Sequence, residues 1–136
     1  MRLFLVPPVH RATHRIGLLI QGARLGLSQG EAHLLAELFE SGPCTVGDLH
    51  RAFAHRKSTL TGILDRMEER GLVKRRLREE DRRSFSVELT AKGRTAAERA
   101  HRRLAQLEEA VRRRVGADAL RGFAAVVEAL AEEAES

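Results

Sequence analysis

The sequence predicts a mostly helical fold that carries one small β-hairpin. Three observations lead there. Apolar residues recur at spacings of three and four in most of the chain, the period of an amphipathic helix. In Ser84-Phe85-Ser86-Val87-Glu88-Leu89 the period changes to two, the signature of a half-buried strand. Two short helical stretches near residues 46 and 60 are joined so closely that they form a helix-turn-helix. The expected order is four helices, a strand, a charged wing loop, a strand and two more helices: a winged helix-turn-helix within a longer helical chain.

Pro7-Pro8 opens the first helix, because a proline in the first turn gives up no bonded N–H. Ile16, Leu19, Ile20, Ala23 and Leu27 form its stripe, with Gly26 at a frayed end. Ser28-Gln29-Gly30-Glu31 reads as a capping box for the second helix, in which the hydroxyl and the carboxylate each satisfy an orphan N–H. Leu34, Leu35, Leu38 and Phe39 follow, and Ser41-Gly42-Pro43 stops the run. Thr45-Val46-Gly47-Asp48 caps a short third helix, with Val46, Leu49 and Phe53 inward and its end near Ala54-His55. Lys57 or Ser58 opens the fourth, where Leu60, Ile63, Leu64 and Met67 share a face and Gly71 supplies the left-handed residue after the end. Leu72 to Leu77 is β-tolerant, residues 78–83 form a charged loop, and Ser84 to Leu89 completes a hairpin. Thr90 caps a long helix with Leu104, Leu107 and Val111 on one face, ended by Gly116. Asp118 is the expected cap of the last helix, where Leu120, Phe123, Val127, Leu130 and Ala134 form a heptad seam that calls for a partner.

The 136 residues amount to about one domain of ~100–150 residues. Charged residues are 32% and apolar residues 43%, a globular balance. The formal net charge of +5 favours a polyanionic partner. Its distribution is uneven: residues 51–83 carry net +5 and residues 94–114 net +4, while residues 1–50 are neutral and the last 22 carry net −4. Aromatics are 4%, too few for a reader that stacks unpaired bases on exposed rings. One cysteine excludes an intrachain disulfide and a multi-thiolate metal site. No apolar run approaches the ~20 residues of a membrane span, and Leu3 to Val6 is too short for a signal-peptide core. A cytoplasmic protein without membrane contact is the expectation. No phosphate-binding glycine loop, Ser/His/Asp order or paired-carboxylate motif is present, so neither an enzyme nor a cofactor is expected.

Three linked motifs then stand out. They are Lys57-Ser58-Thr59-Leu60-Thr61 with Leu64-Asp65-Arg66-Met67-Glu68-Glu69-Arg70-Gly71-Leu72-Val73, Asp81-Arg82-Arg83, and Leu89-Thr90-Ala91-Lys92-Gly93. From Thr45 to Gly93 the chain resembles the multiple-antibiotic-resistance regulator (MarR) family of bacterial transcription factors. The second motif matches the family's Asp-x-Arg wing and the third the Leu-Thr-x-x-Gly that closes it. About a third of the chain matches tightly; the outer helices match in length and order. The resemblance implies a winged helix over 28–93, with 1–27 and 94–136 forming a helical dimerisation part of the same single chain. It also implies a homodimer on a pseudo-palindromic duplex operator. Many relatives are repressors released by small phenolic or anionic ligands, and some by oxidation.

On this reading Lys57 to Arg70 is the recognition helix. A major groove ~12 Å wide admits a helix whose N-terminal side chains read base edges. Lys57, Ser58, Thr59, Thr61, Gly62 and Arg66 are the candidate DNA contacts, the last three by resemblance. Gly62 departs from the longer polar residue common there, so close approach replaces a base contact at that position. Asp65 faces the same side and would repel phosphate, so it is expected to pair with Arg66 or a nearby arginine. Arg78, Arg82 and Arg83 belong to the wing, where an arginine can enter the narrow minor groove. Arg82 is assigned to the tip and Arg83 to Asp81, although the two could be exchanged. Lys74, Arg75 and Arg76 are expected to add to the long-range field. His10, Arg11, His14 and Arg15 put cationic and polar groups on the first helix, with no acid before Glu31. They are candidate holders of a small anionic or aromatic effector; the alternative is that they are solvated or touch DNA phosphates. Cys44 is expected to be inert, since a reactive thiolate needs an electropositive, exposed setting.

Two other classes share the fold. A metal-responsive winged-helix sensor of the arsenic-type class would carry paired thiols near Thr45 to Leu49, where Cys44 stands alone. An architectural DNA-binding protein would need no effector.

Overall fold

Local chemistry decides where the helices begin and end in the computed structural model, which describes residues 1–53, 57–80 and 84–135, apart from the Lys57 side chain. Helix α1 spans Val6–Gly22 with prolines in its first turn. It ends before Gly26, so Ala23 and Leu27 of the expected stripe lie beyond it. The reason is a turn: Arg24 has φ 52° and Gly26 φ 70°, two left-handed residues that a right-handed helix cannot contain. Helix α2, Gln29–Ser41, starts on the expected box. The Glu31 N–H donates to Ser28 Oγ at 3.2 Å, and the Ser28 N–H donates to Glu31 Oε1 at 2.8 Å.

A two-residue strand, β1 (Cys44–Thr45), precedes α3 (Val46–Phe53). Helix α4 is Lys57–Glu69, followed by β2 (Val73–Leu77) and β3 (Phe85–Leu89). The sheet order is β1-β3-β2, antiparallel throughout. The hairpin register pairs Val73 with Leu89 and Leu77 with Phe85. The hairpin was legible in the sequence; its third strand was not. Phe85 departs from the half-buried expectation, being exposed at the outer end of the wing.

These elements form a single core. Leu34, Leu35, Leu38, Leu49, Leu60, Ile63, Leu64, Met67, Leu72, Val73, Val87 and Ala97 are buried together, with Val46 and Phe53 packed against them. The apolar side of α4 thus faces the core, which turns its other side outward.

The chain after α4 is held by a dense joint. Gly71, at φ 72°, closes the helix in the left-handed conformation. The Leu72 N–H donates to Met67 O at 2.9 Å and the Gly71 N–H to Glu68 O at 2.9 Å, the paired bonds of a Schellman turn. Thr90 Oγ1 donates to Gly71 O at 2.6 Å and accepts from the Gly93 N–H at 2.9 Å. Lys92 Nζ donates to Arg70 O at 2.9 Å. A Cβ on Gly93 would stand 1.7 Å from the Leu72 carbonyl oxygen. The threonine and glycine of the Leu-Thr-x-x-Gly motif are therefore both structural requirements of one contact.

On the other side of this joint, Arg70 reaches back across the fold. Its guanidinium lies 3.2 Å from the buried carboxylate of Glu31 and donates to Gly26 O at 2.9 Å. The α1–α2 turn, the start of α2 and the end of α4 are tied by one side chain.

Helix α5 is Ala91–Arg112 and α6 is Ala117–Ala134. Residues 1–103 form one compact unit and those from 104 onward a second. In the second unit α5 stops at Arg112, short of the expected Gly116, although backbone bonds continue to Val115. Gly116, not Asp118, occupies the cap of α6, with extended backbone at ψ 168°. Asp118 lies inside the first turn, where a carboxylate favours the helix dipole, and pairs with Arg121. No residue of α6 is buried, and Phe123 of the seam is 64% exposed.

Two substitutions test the joint. Gly93→Ala forces a backbone displacement and is expected to cost about 2–4 kcal/mol in urea unfolding, within the range for overpacking and strain. Arg70→Ala leaves a buried carboxylate without its cation. It is expected to cost about 2 kcal/mol, below the ~3–5 kcal/mol of a fully buried pair because the arginine is half exposed. A midpoint unchanged in either variant would show that the joint does not hold the fold.

Candidate nucleic-acid interface

The outward side of α4 carries short polar groups near its start and a cation further on. Ser58, Thr59 and Thr61 are exposed, Gly62 is half-buried, and Asp65 and Arg66 are exposed. The Arg66 guanidinium lies across Gly62, with Nη1 3.4 Å from the place a Cβ would occupy there. An alanine would therefore meet only ordinary contact, and the glycine keeps this stretch of helix backbone close to the surface. The Lys57 side chain lies outside the described residues.

The wing beside α4 has a charge pattern on each side. Lys74 and Arg76 approach Glu88 of β3 at 3.3 and 3.5 Å. Arg75, one residue out of phase with them, turns toward α4 and meets Asp65 at 2.8 Å and Glu68 at 3.4 Å. Asp65 thus has the arginine partner expected for it, supplied by β2. Arg78 lies 3.2 Å from Glu80, and its N–H donates to Ser84 O at 3.2 Å across the base of the loop. Asp81, Arg82 and Arg83, including the arginine assigned to the wing tip, lie outside the described residues.

Helix α3 enters the motif through a reciprocal cap. The Thr45 N–H donates to Asp48 Oδ2 and the Asp48 N–H to Thr45 Oγ1, both at 3.0 Å. Arg51 adds an ion pair to Asp48 at 2.6 Å. The Thr45 bonds, and then the arginine, hold the Asp48 carboxyl below the usual aspartate range.

His10, Arg11, His14 and Arg15 are exposed along α1. Arg11 lines a concavity with Arg2, Leu3, Phe4, Pro7 and Pro8. A second concavity, at the α1–α2 turn, is lined by Ile20, Gln21 and residues 24–29. His10, His14 and Arg15 line neither. Cys44 Sγ donates to Gly42 O at 3.2 Å. Burial, then the nearby Asp48 and Glu37 carboxylates, raise its pKa, the opposite of thiolate activation. Among the described residues no cluster of three or more His, Cys, Asp or Glu side chains is arranged to hold a metal ion. Among them also, no helix is long and apolar enough to cross a membrane.

Sequence reasoning missed the pairing made by Arg70 and did not single out Arg75 as the arginine that meets Asp65. Arg70 and Glu31 are 39 residues apart, and no local pattern links them. Arg75 could have been found from strand alternation, which puts it on the opposite face from Lys74 and Arg76.

Comparison with known proteins follows the same outline. Residues 27–85 match the model of the MarR family. Two relatives come from Bacillus subtilis. The uncharacterised HTH-type transcriptional regulator YfiV is 40% identical over 67 residues, 49% of this chain and 42% of its own length. The HTH-type transcriptional repressor YetL is 36% identical over 75 residues, 54% of this chain and 45% of its own. The chain therefore matches less than half the length of these relatives. The crystal structure of Staphylococcus aureus MepR in its DNA-binding conformation superposes with a TM-score of 0.84 at 16% identity, covering 96% of this chain and 98% of that one.

The Asp48 cap predicts an acid limb in stability. A lowered folded-state pKa gives stability that is present above the ordinary aspartate range and is lost as pH falls through the lowered value. Urea midpoints measured down through that range should decline, and Asp48→Asn should remove part of the decline. Parallel pH profiles for the two proteins would contradict this role.

Proposed function

We propose, from the match of residues 27–85 to the MarR family model, that the chain is a cytoplasmic transcriptional regulator that binds duplex DNA as a homodimer. The observation that carries this reading is the division of α4. Leu60, Ile63, Leu64 and Met67 are buried, whereas Ser58, Thr59, Thr61 and Arg66 face outward from the same helix. In the docked state this outer face enters the major groove, with Lys57 and Gly62 alongside, and the wing with Arg78, Arg82 and Arg83 lies over the adjacent backbone and minor groove. The charged residues contribute affinity, and the short polar side chains with Arg66 contribute reading.

The dimer joins the helical parts, 1–27 and 94–136. Its support is the exposed apolar surface of α6 and of the N-terminal segment, where Phe4 is 84% and Leu3 61% exposed. Two-fold symmetry then sets half-sites about 10 base pairs apart. Repression is the mode favoured by the likeness to YetL. A small aromatic or anionic molecule relieves it, and the concavity with Arg2, Arg11 and Phe4 offers cations over an apolar floor suited to an aromatic carboxylate.

Selection of fragments from a random duplex pool tests the reading. One sequence family with paired half-sites is expected, bound with a steep salt dependence from about 6–10 phosphate contacts. Arg66→Ala should weaken the selected duplex at least about tenfold, the loss expected for one good base contact, and random duplex much less. Release by aromatic carboxylates should be blunted in Arg11→Ala. Equal affinity for selected and random duplex would replace regulation with an architectural role.

A further inference from the structure

We propose that Arg75 is a positioning residue that screens the acidic groups on the DNA-facing side of α4. This rests on the duplex-binding reading above and adds a specific electrostatic device to it. The outer face of α4 is not uniformly suited to a polyanion. Asp65 lies on it between Gly62 and Arg66 in sequence, and Glu68 lies one turn beyond Asp65; both carboxylates are about half exposed. Bare, they would meet phosphate with like charge, which costs affinity at any interface.

The structure brings one cation to both. The Arg75 guanidinium contacts Asp65 Oδ1 through Nη2 at 2.8 Å and Glu68 Oε2 through Nε at 3.4 Å. A guanidinium is planar and forked, so one side chain can hold two carboxylates a helical turn apart, which a lysine cannot do as well. The strand fixes which residue does this. Lys74 and Arg76 point to the opposite side of β2, where Glu88 takes both. Arg75 alone of the three turns to α4, and only a third of its side chain remains exposed. It is thereby withdrawn from the general basic field and assigned to one place. The contact also fixes the wing against the recognition helix, but its electrostatic part has a separable signature. Once Arg75 is gone, removing the carboxylate it screens should restore binding.

A double-mutant cycle on the duplex selected by the native chain tests this. Arg75→Gln should weaken binding about tenfold at moderate salt. Asp65→Asn alone should change it by less than about threefold, because the charge it removes is already screened. Asp65→Asn in the Arg75→Gln background should return affinity to within about threefold of the native chain. Thermal melting of each variant confirms that it is folded; the melting points should differ little, because half-exposed pairs contribute little to stability. If the two changes simply add, Arg75 touches phosphate itself or serves the general field, and the proposal fails. If Arg75→Gln leaves affinity unchanged, it fails as well. If the native chain selects no duplex, the duplex-binding reading fails, and this proposal with it. A native chain that binds while the cycle shows no coupling overturns the screening role alone.

Discussion

The last turn of α4 is the constraint on which the rest of the winged helix depends. Three separate segments meet at residues 70 to 72. Arg70 carries the α1–α2 turn and the buried Glu31 on its guanidinium and Lys92 on its carbonyl. Gly71 and Leu72 present carbonyls to Thr90, and the Leu72 oxygen lies where only a glycine at 93 leaves room. These carbonyls lie just beyond the helix, whose own Met67 and Glu68 carbonyls are taken by the Leu72 and Gly71 N–H groups. Satisfying the carbonyls of residues 70 to 72 with a hydroxyl and an ammonium from the start of α5 anchors two helices in one step. The start of α4 carries the exposed polar side chains of Ser58, Thr59 and Thr61.

The elements built from local rules were legible in the sequence. The Ser28–Glu31 box, the Thr45–Asp48 cap, the Gly71 stop and the alternation of Phe85 to Leu89 each concern residues within one turn or one strand. The α4 face was legible because Leu60, Ile63, Leu64 and Met67 repeat at helical spacing over a full two turns. What escaped was set by tertiary partners. A two-residue strand such as Cys44–Thr45 has no period to detect, and it exists only because Val87 and Ser86 offer an edge. The end of α1 was misplaced because Leu27 continues the apolar spacing beyond Gly22, while the backbone at Arg24 and Gly26 has already turned. Asp118 looked like a cap by residue type, but glycine at 116 takes the extended conformation and leaves the carboxylate two residues inside, within the first turn.

The candidate site was legible as a set of residues and illegible as a circuit of charges. From sequence, residues 51–83 are a block of net +5. In the fold much of that block is committed. Arg51 serves the α3 cap, Arg70 serves Glu31, Lys74 and Arg76 share Glu88, Arg75 serves Asp65 and Glu68, and Arg78 meets Glu80. Exposed pairs of this kind contribute little stability, but each holds a cation at a chosen place. Net charge survives pairing at long range, so the block still attracts a polyanion. At short range the paired groups act as dipoles, and Arg66 is the cation of the α4 outer face with no ion pair among the described residues.

On the duplex-binding proposal, the geometry of α4 makes its anchored end decisive for its reading end. At 1.5 Å per residue, the 13 residues of Lys57–Glu69 span about 20 Å. A tilt of about 5° at the Arg70 joint would carry the far end about 1.7 Å for that length. Hydrogen bonds tolerate a few tenths of an ångström around about 2.9 Å, so on the duplex-binding proposal such a tilt would break base contacts made by the far end. The joint also touches Gly26, whose carbonyl is held by Arg70 and whose turn forms part of a surface concavity. That turn and the end of α4 are therefore joined directly through Arg70. The connection passes through one guanidinium that is half exposed to solvent and bonded to both sides. On the duplex-binding proposal, stability and reading would be coupled, because the same residues terminate the helix and aim it.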